Sequence, residues 1–268
     1  MLPVKKEFRK FAKNQFREFI LGGDVGGTNT NLGIFGVKNK PELLFSFHFK
    51  SRELKCLHEV VNYVLSHCKE TYNLQITKAC FGVAGHVSSK GDFVHITNLK
   101  WNVSKNDLLK KSRLKKILLI NDFAAIGYSI NILSKKDVAT IKKTKKVSKA
   151  PISIIGAGTG LGKTTLIYNE QLKFYTPLAS EGGHLDFSVQ NKEELNLVNF
   201  VKKYKKVQNV TYENLLSGPG LDSIYLFVRK HRKYNTLENQ RFSAPRNFKK
   251  ISRETKYTKE IDKSKNKP

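Results

Sequence analysis

Apolar positions along the chain change period several times, and each change marks an element. Between Phe19 and Val37, FILGGDVGGTNTNLGIFGV holds two strand-like runs around a glycine-rich turn. ELLFSFHF supplies a third run after the break at Asn39, Lys40 and Pro41, so the chain is predicted to start as three antiparallel strands. Over residues 52–72 the period lengthens. Leu54, Leu57, Val61, Val64, Leu65 and Cys68 then share one helical face, with Ser51 as the predicted N-cap. ITKACFGVAG and FVHITNL read as strands, and Ser104 with Asp107 as the capping box of a short helix. KKILLIND is a buried strand that carries Asp122 at its carboxyl end, where α/β sheets present ligand-binding groups. Ahead of all this, Phe8, Phe11, Phe16 and Phe19 recur at roughly helical spacing, which predicts a helix, packed on the domain in preference to one lying on a membrane surface.

The second half repeats the opening. PISIIGAGTGLGKTTLIYN is again an apolar run, a glycine turn and a β-branched run. SEGGH, a helix capped by Asn191 and Glu194, and a further helix starting near Pro219 follow it. The predicted organisation is an α/β fold in two domains. Residues 1–18 are a basic N-terminal extension, 19–133 a small first domain, 134–150 a lysine-rich linker or exposed hairpin, 151–232 a partial second domain, and 233–268 a basic, partly disordered tail.

Composition narrows the function classes. With 39% hydrophobic residues in 268, the chain can bury a sizeable core. Its 49 basic and 22 acidic residues give a net charge of +27, which attracts anions. The excess is mostly lysine in short scattered runs, without the arginine and aromatic clustering of a nucleic-acid site, so a solvated surface is the favoured reading and dedicated nucleic-acid binding is disfavoured. Cys56, Cys68 and Cys80 are widely spaced and lack the paired spacing of zinc or redox motifs. That usage fits a reducing, cytoplasmic setting. No apolar stretch is long enough for a membrane span.

The two glycine turns carry the candidate chemistry. Gly23, Gly26 and Gly27 in the first, and Gly158 and Gly160 in the second, would let backbone amides approach phosphate oxygens, some of them at positive φ. Two such turns can grip a polyphosphate from both sides. Asp24 beside the first would repel phosphate unless a cation lay between them, which implies Mg²⁺, bound directly or through water. Val25 completes this backbone stretch, and Thr28 and Thr159 add hydroxyls. AGTGLGKT also fits a relaxed P-loop with Lys163 and Thr164, a competing reading as a nucleotide hydrolase. A P-loop runs into a helix, whereas TTLIYNEQLKFY is β-branched and aromatic, so a hairpin is predicted there.

GGDVGGTNTNLGIF, ITNLKW, INDFAAIGYSI, GAGTGLG, SEGGHLDF and ENLLSGPGL stand in the order found in bacterial-type glucokinases. The chain resembles that family, part of the actin-like, hexokinase and chaperone ATPase superfamily, over roughly residues 19–228. The resemblance implies two ribonuclease H-like domains around a cleft, with ATP and a hexose, most readily glucose, as substrates. Carried onto this sequence, it makes Asp122 the general base on the sugar 6-hydroxyl and Asn121 a sugar hydrogen-bonder. Glu181, His184 and Glu213 become partners of the ring hydroxyls. Read alone, Asp122 is a helix cap and Glu213 a surface helix residue. His184 could ligate a metal, as in related zinc-carrying proteins, but no cysteine follows it and no zinc is predicted.

The departure from the family lies at the C-terminus. After SGPGL and one helix, the family continues with an adenosine-binding segment, where this chain has a basic, apolar-poor tail. The expectation is a shortened member whose hexose and phosphate contacts survive better than its adenine pocket. A non-catalytic sugar-binding or regulatory protein is the alternative. A homodimer is compatible with the resemblance, although the sequence does not fix oligomeric state.

Overall fold

The computed structural model describes residues 3–96, 99–143, 145 and 147–231. The expected tail at 233–268 lies outside the described residues, as do Arg232 and Thr97 and Asn98 of the ITNLKW motif. Contacts divide the described residues into two compact units, which fall within Met1–Ile154 with Thr164–Ala179 and within Ile155–Lys163 with Ser180–Pro268.

The first unit is built on β1 (Val4–Glu7), β2 (Glu18–Val25), β3 (Asn29–Val37), β4 (Pro41–Lys50) and β5 (Lys78–Val83). A small sheet of β6 (His86–Val87), β7 (Phe93–His95) and β8 (Val103–Ser104) follows, and then β9 (Lys116–Asn121). The main sheet has the order β1-β4-β3-β2-β5-β9. β2, β3 and β4 pair antiparallel, while β5 and β9 join parallel to β2, so the predicted antiparallel start holds and β2, β5 and β9 end together. α1 (Leu57–Tyr72) lays Val60, Val61, Val64, Leu65 and Cys68 on the core that Leu21, Leu32, Ile34, Phe45 and Phe81 build from the sheet. Each such side chain contributes about 1.5–3 kcal/mol by leaving water. α2 (Lys105–Lys111) is capped by Ser104, whose hydroxyl accepts from the Asp107 amide, and α3 (Asp122–Ser129) follows β9 directly.

Two local expectations are corrected. The described residues 3–16 form no α-helix: Val4–Glu7 is a strand that pairs antiparallel with β4, and a short 3₁₀ turn follows at Lys13–Gln15. The phenylalanine spacing has another cause. Phe11, Phe16 and Phe19 pack on one another, with Phe11 also stacked on Phe45, and Gly36 leaves the space that the Phe16 ring fills. Ser51 does not cap α1. It belongs to a separate 3₁₀ turn at Ser51–Glu53, and Cys56 is the N-cap.

β10 (Ile152–Ala157), β11 (Leu161–Asn169) and β12 (Phe174–Ser180) form a sheet in that order. Lys163 and Thr164 therefore lie in a strand, and the Thr164 hydroxyl donates to the Leu178 carbonyl at 2.7 Å, which removes the P-loop reading. Residues 164–179 group with the first unit because Leu166 and Pro177 close on Gly127 of α3 and Asn131 exchanges hydrogen bonds with the Tyr175 backbone. The second unit holds a 3₁₀ turn at Gly182–His184, α4 (Lys192–Lys205), α5 (Tyr212–Leu216) and α6 (Gly218–His231) around Val198, Val201, Val210 and Leu215. Asn191 caps α4 as predicted, accepting from the Glu194 amide.

Candidate functional site

In the first unit, β2 and β3 turn about Gly27 and Thr28, closed by the Gly26 amide on the Asn29 carbonyl at 2.9 Å. A two-residue connection fixes the register. Val25 therefore faces Thr30, and Asp24 faces Asn31. Val25 is buried, whereas Asp24 and Thr28 are exposed at the end of the strand. Asn31 Nδ2 donates to Asp24 Oδ2 at 3.0 Å. Its Oδ1 lies 2.7 Å from His48 Nδ1, and His48 Nε2 lies 2.9 Å from Ser46 Oγ. A polar line thus crosses β2, β3 and β4. Burial, reinforced by Lys6, holds the His48 imidazole below its ordinary range.

The expectation of positive φ at the turn glycines is not met. Among the described glycines, only Gly85 and Gly91 have positive φ, so none of the turn glycines is required for that reason. Gly23 is a packing glycine: a Cβ there would stand 2.3 Å from the Phe81 ring. Gly26 is tied from behind. Ser51 Oγ donates to its carbonyl at 2.6 Å and the Ser51 amide to the Thr28 carbonyl at 3.0 Å, while Thr30 Oγ1 lies 2.8 Å from Ser51 Oγ.

Asn121 and Asp122 stand at the end of β9, in the row that contains Val25 and Val83. Asn121 is the N-cap of α3: Oδ1 accepts from the Phe123 and Ala124 amides at 2.9 and 3.2 Å, and Nδ2 donates to the Gly85 carbonyl. Both ends of its amide are engaged, which fixes Asp122 as the first residue of the helix. Gly82 lets α3 approach the sheet, since a Cβ there would meet the Asp122 backbone at 3.6 Å and Ala125 at 3.0 Å.

In the second unit, residues from three separate motifs meet. Glu213, on the first turn of α5, accepts from the Leu161 amide through Oε2 at 2.9 Å. His184 Nε2 lies 3.7 Å from Glu213 Oε1, and His184 Nδ1 lies 3.3 Å from Glu181 Oε2. Glu181 and His184 are exposed, whereas Glu213 is half-buried. Gly160 is needed here because a Cβ would stand 2.5 Å from Glu213 Oε2. The Gly158–Gly160 turn is closed by the Gly158 amide on the Gly160 carbonyl, and the Gly218 amide donates to the Gly158 carbonyl, both at 2.8 Å. A Cβ on Gly158 would meet nothing, so the face at Gly158 and Thr159 is open to a ligand.

Sequence reasoning missed Asn31, Ser51 and the Leu161 amide. Asn31 was accessible, because the two-residue turn sets the pairing with Asp24. Ser51 and Leu161 were not, since their partners lie 25 and 52 residues away. Among the described residues, the His/Cys/acid group able to hold a metal ion is Cys56, His58 and Glu59, remote in sequence from these motifs.

Comparison with known proteins bears on the whole set. A family model described as glucokinase matches residues 21–261. The glucokinase of Trichormus variabilis is 38% identical over 215 residues, covering 80% of this chain and 61% of that protein. That of Helicobacter pylori is 34% identical over 209 residues, covering 78% and 60%. The chain thus spans about six-tenths of the length of these curated relatives. Among solved structures, the glucokinase of an Antarctic psychrotroph superposes with a TM-score of 0.64 at 28% identity, covering 80% of this chain and 65% of that one. That of Balamuthia mandrillaris, solved in complex with glucose, gives 0.68 at 21%, covering 81% and 64%, a likeness of fold. The expected α/β, ribonuclease H-like fold is therefore shown. With six motifs in family order and a family model over most of its length, this chain belongs to the glucokinase family.

Proposed function

We propose that the chain carries out its family's phosphoryl transfer, from ATP to the 6-hydroxyl of a hexose, glucose by preference. The observation that carries this reading is the meeting of Glu181, His184 and Glu213 from distant motifs. Two carboxylates and an imidazole brought together form an acceptor-rich set suited to neighbouring sugar hydroxyls. Such a set has little use in hydrolysing nucleotide alone. A relative of the same fold is solved with glucose, which supports the choice of hexose.

In this reading Asp122 takes the proton from the attacking 6-hydroxyl, and Asn121, through its capping bonds, holds Asp122 at the end of β9 and lies beside the sugar. The Gly23–Thr28 and Gly158–Gly160 segments offer backbone and hydroxyl donors to phosphate oxygens, including the Thr28 and Thr159 hydroxyls. The exposed Asp24 carboxylate, steadied by Asn31, fits a hard cation that keeps most of its water, so Asp24 would hold Mg²⁺. When bound, that ion supplies charge neutralisation on the phosphates. A cytoplasmic setting and a homodimer belong to the same reading. No helix among the described residues is long and apolar enough to cross a membrane.

Calorimetric titration with glucose tests the reading. Saturable binding that is weakened at least about tenfold by Glu213→Ala is expected, since a lost charged hydrogen bond costs about 1.5–3 kcal/mol. Absence of binding would count against the sugar set, and binding without turnover would favour the sugar-binding alternative.

A further inference from the structure

The Cys56, His58 and Glu59 side chains present one ligand atom each, all within 4.8 Å of one another, at the start of α1. None belongs to the phosphate or sugar sets. Cys56 Sγ and His58 Nε2 are 3.4 Å apart. In a tetrahedral zinc site, bonds of about 2.3 Å to sulfur and about 2.0 Å to nitrogen place those two atoms about 3.5 Å apart, so the pair already spans an edge of the coordination polyhedron.

The other ring nitrogen is oriented. His58 Nδ1 lies 3.1 Å from Asp107 Oδ2, while Asp107 Oδ1 holds Lys111 at 2.7 Å. With Lys111 on one oxygen, the other oxygen of Asp107 is placed to accept the Nδ1 proton. That leaves the Nε2 lone pair toward Cys56 Sγ, the arrangement by which a carboxylate fixes a metal-binding tautomer. The charge also balances. A thiolate and a carboxylate neutralise a divalent cation, which offsets the repulsion a bare cation would meet at a helix N-terminus. Thiolate, imidazole and carboxylate together select a borderline metal over Mg²⁺ or Ca²⁺.

We infer that Cys56, His58 and Glu59 form a zinc site, with Asp107 as the positioning residue for His58 and solvent in the fourth position. On binding, the Cys56 thiol gives up its proton to solvent and the metal takes its place. The site is separate from any at His184, for which the sequence predicts no zinc. It joins α1 to α2 through the His58–Asp107 contact, so occupancy ties together the helices that flank the Ser51–Glu53 turn and β9 in sequence.

The test is titration of the full chain with Co²⁺, then displacement by Zn²⁺. One equivalent should bind with near-ultraviolet thiolate-to-cobalt absorption. Cys68 is fully buried, with its thiol pushed up to about 12, and Cys80 lies outside the cluster, so Cys80→Ser should leave the absorption intact. Cys56→Ser should abolish it while preserving the fold by circular dichroism, because serine is a better N-cap than cysteine. Asp107→Asn should weaken Zn²⁺ binding about 10–100-fold. No thiolate absorption with the folded wild-type chain, or absorption unchanged by Cys56→Ser, would overturn the site. Unchanged affinity in Asp107→Asn would overturn the positioning role.

Discussion

The Ser51 hydroxyl donates to the Gly26 carbonyl at 2.6 Å, holding the first glycine turn from its buried side. Because that proton is committed to Gly26, Thr30 Oγ1 must be the donor in its 2.8 Å contact with Ser51 Oγ, and both hydroxyl residues are fully buried. Ser51→Ala would leave the Thr30 hydroxyl and the Gly26 carbonyl unsatisfied, at a cost of about 1–3 kcal/mol. Urea unfolding should show that loss, and KM for ATP should rise while glucose affinity stays near wild type.

Gly160→Ala separates stability from sugar binding. The added Cβ would press on Glu213 Oε2, the far end of a side chain that can swing away. The Leu161 amide that it leaves is only part-buried, so water can take the place of the carboxylate and thermal unfolding should shift little. Displacing Glu213 also breaks its bond to the Leu161 amide, so calorimetry should show glucose affinity reduced at least about tenfold, in line with a lost charged hydrogen bond.

Asn121→Ala removes the cap that accepts from the Phe123 and Ala124 amides. The helix start should lose about 1 kcal/mol, read by denaturant unfolding. Asn121→Ser restores a capping oxygen and should recover most of that stability. Activity recovered along with it would mark Asn121 as acting through the position of Asp122; activity still lost would mark direct contact with the sugar.

Stability should fall as pH drops below 6.5. Burial is the main cause holding His48 and His67 below that ordinary value in the folded chain, with Lys6 and Lys5 adding to it. The unfolded chain therefore takes up protons at 6.5 while the folded chain does not, and stability is lost until pH passes the folded values. Urea midpoints measured from pH 7.5 to 5 should show the decline, and His67→Gln should flatten part of it.

Legibility in the sequence followed the range of the contacts. The antiparallel start, Asp122 at the end of β9 and the caps at Ser104 and Asn191 depend on neighbours within a few residues, and periodicity with capping chemistry located them. The phenylalanines of residues 8–19 matched helical spacing by coincidence, because β1 finds its hydrogen bonds on β4, some forty residues on. Ser51 looked like a cap because a helix follows; its partners are Gly26 and Thr30 on an earlier turn. The candidate site residues were legible as motif members, but the contact between Glu213 and Leu161 was not, since it brings together segments 52 residues apart.

The most direct test of the proposed function is ADP release by the purified chain, with and without glucose, compared with Asp122→Asn. The account predicts release that requires glucose and falls by at least about 10²-fold in Asp122→Asn, as expected on losing a general base, while glucose binding persists. Release that ignores glucose and is unaffected by Asp122→Asn, or the absence of both turnover and glucose binding at saturating ATP, would contradict it.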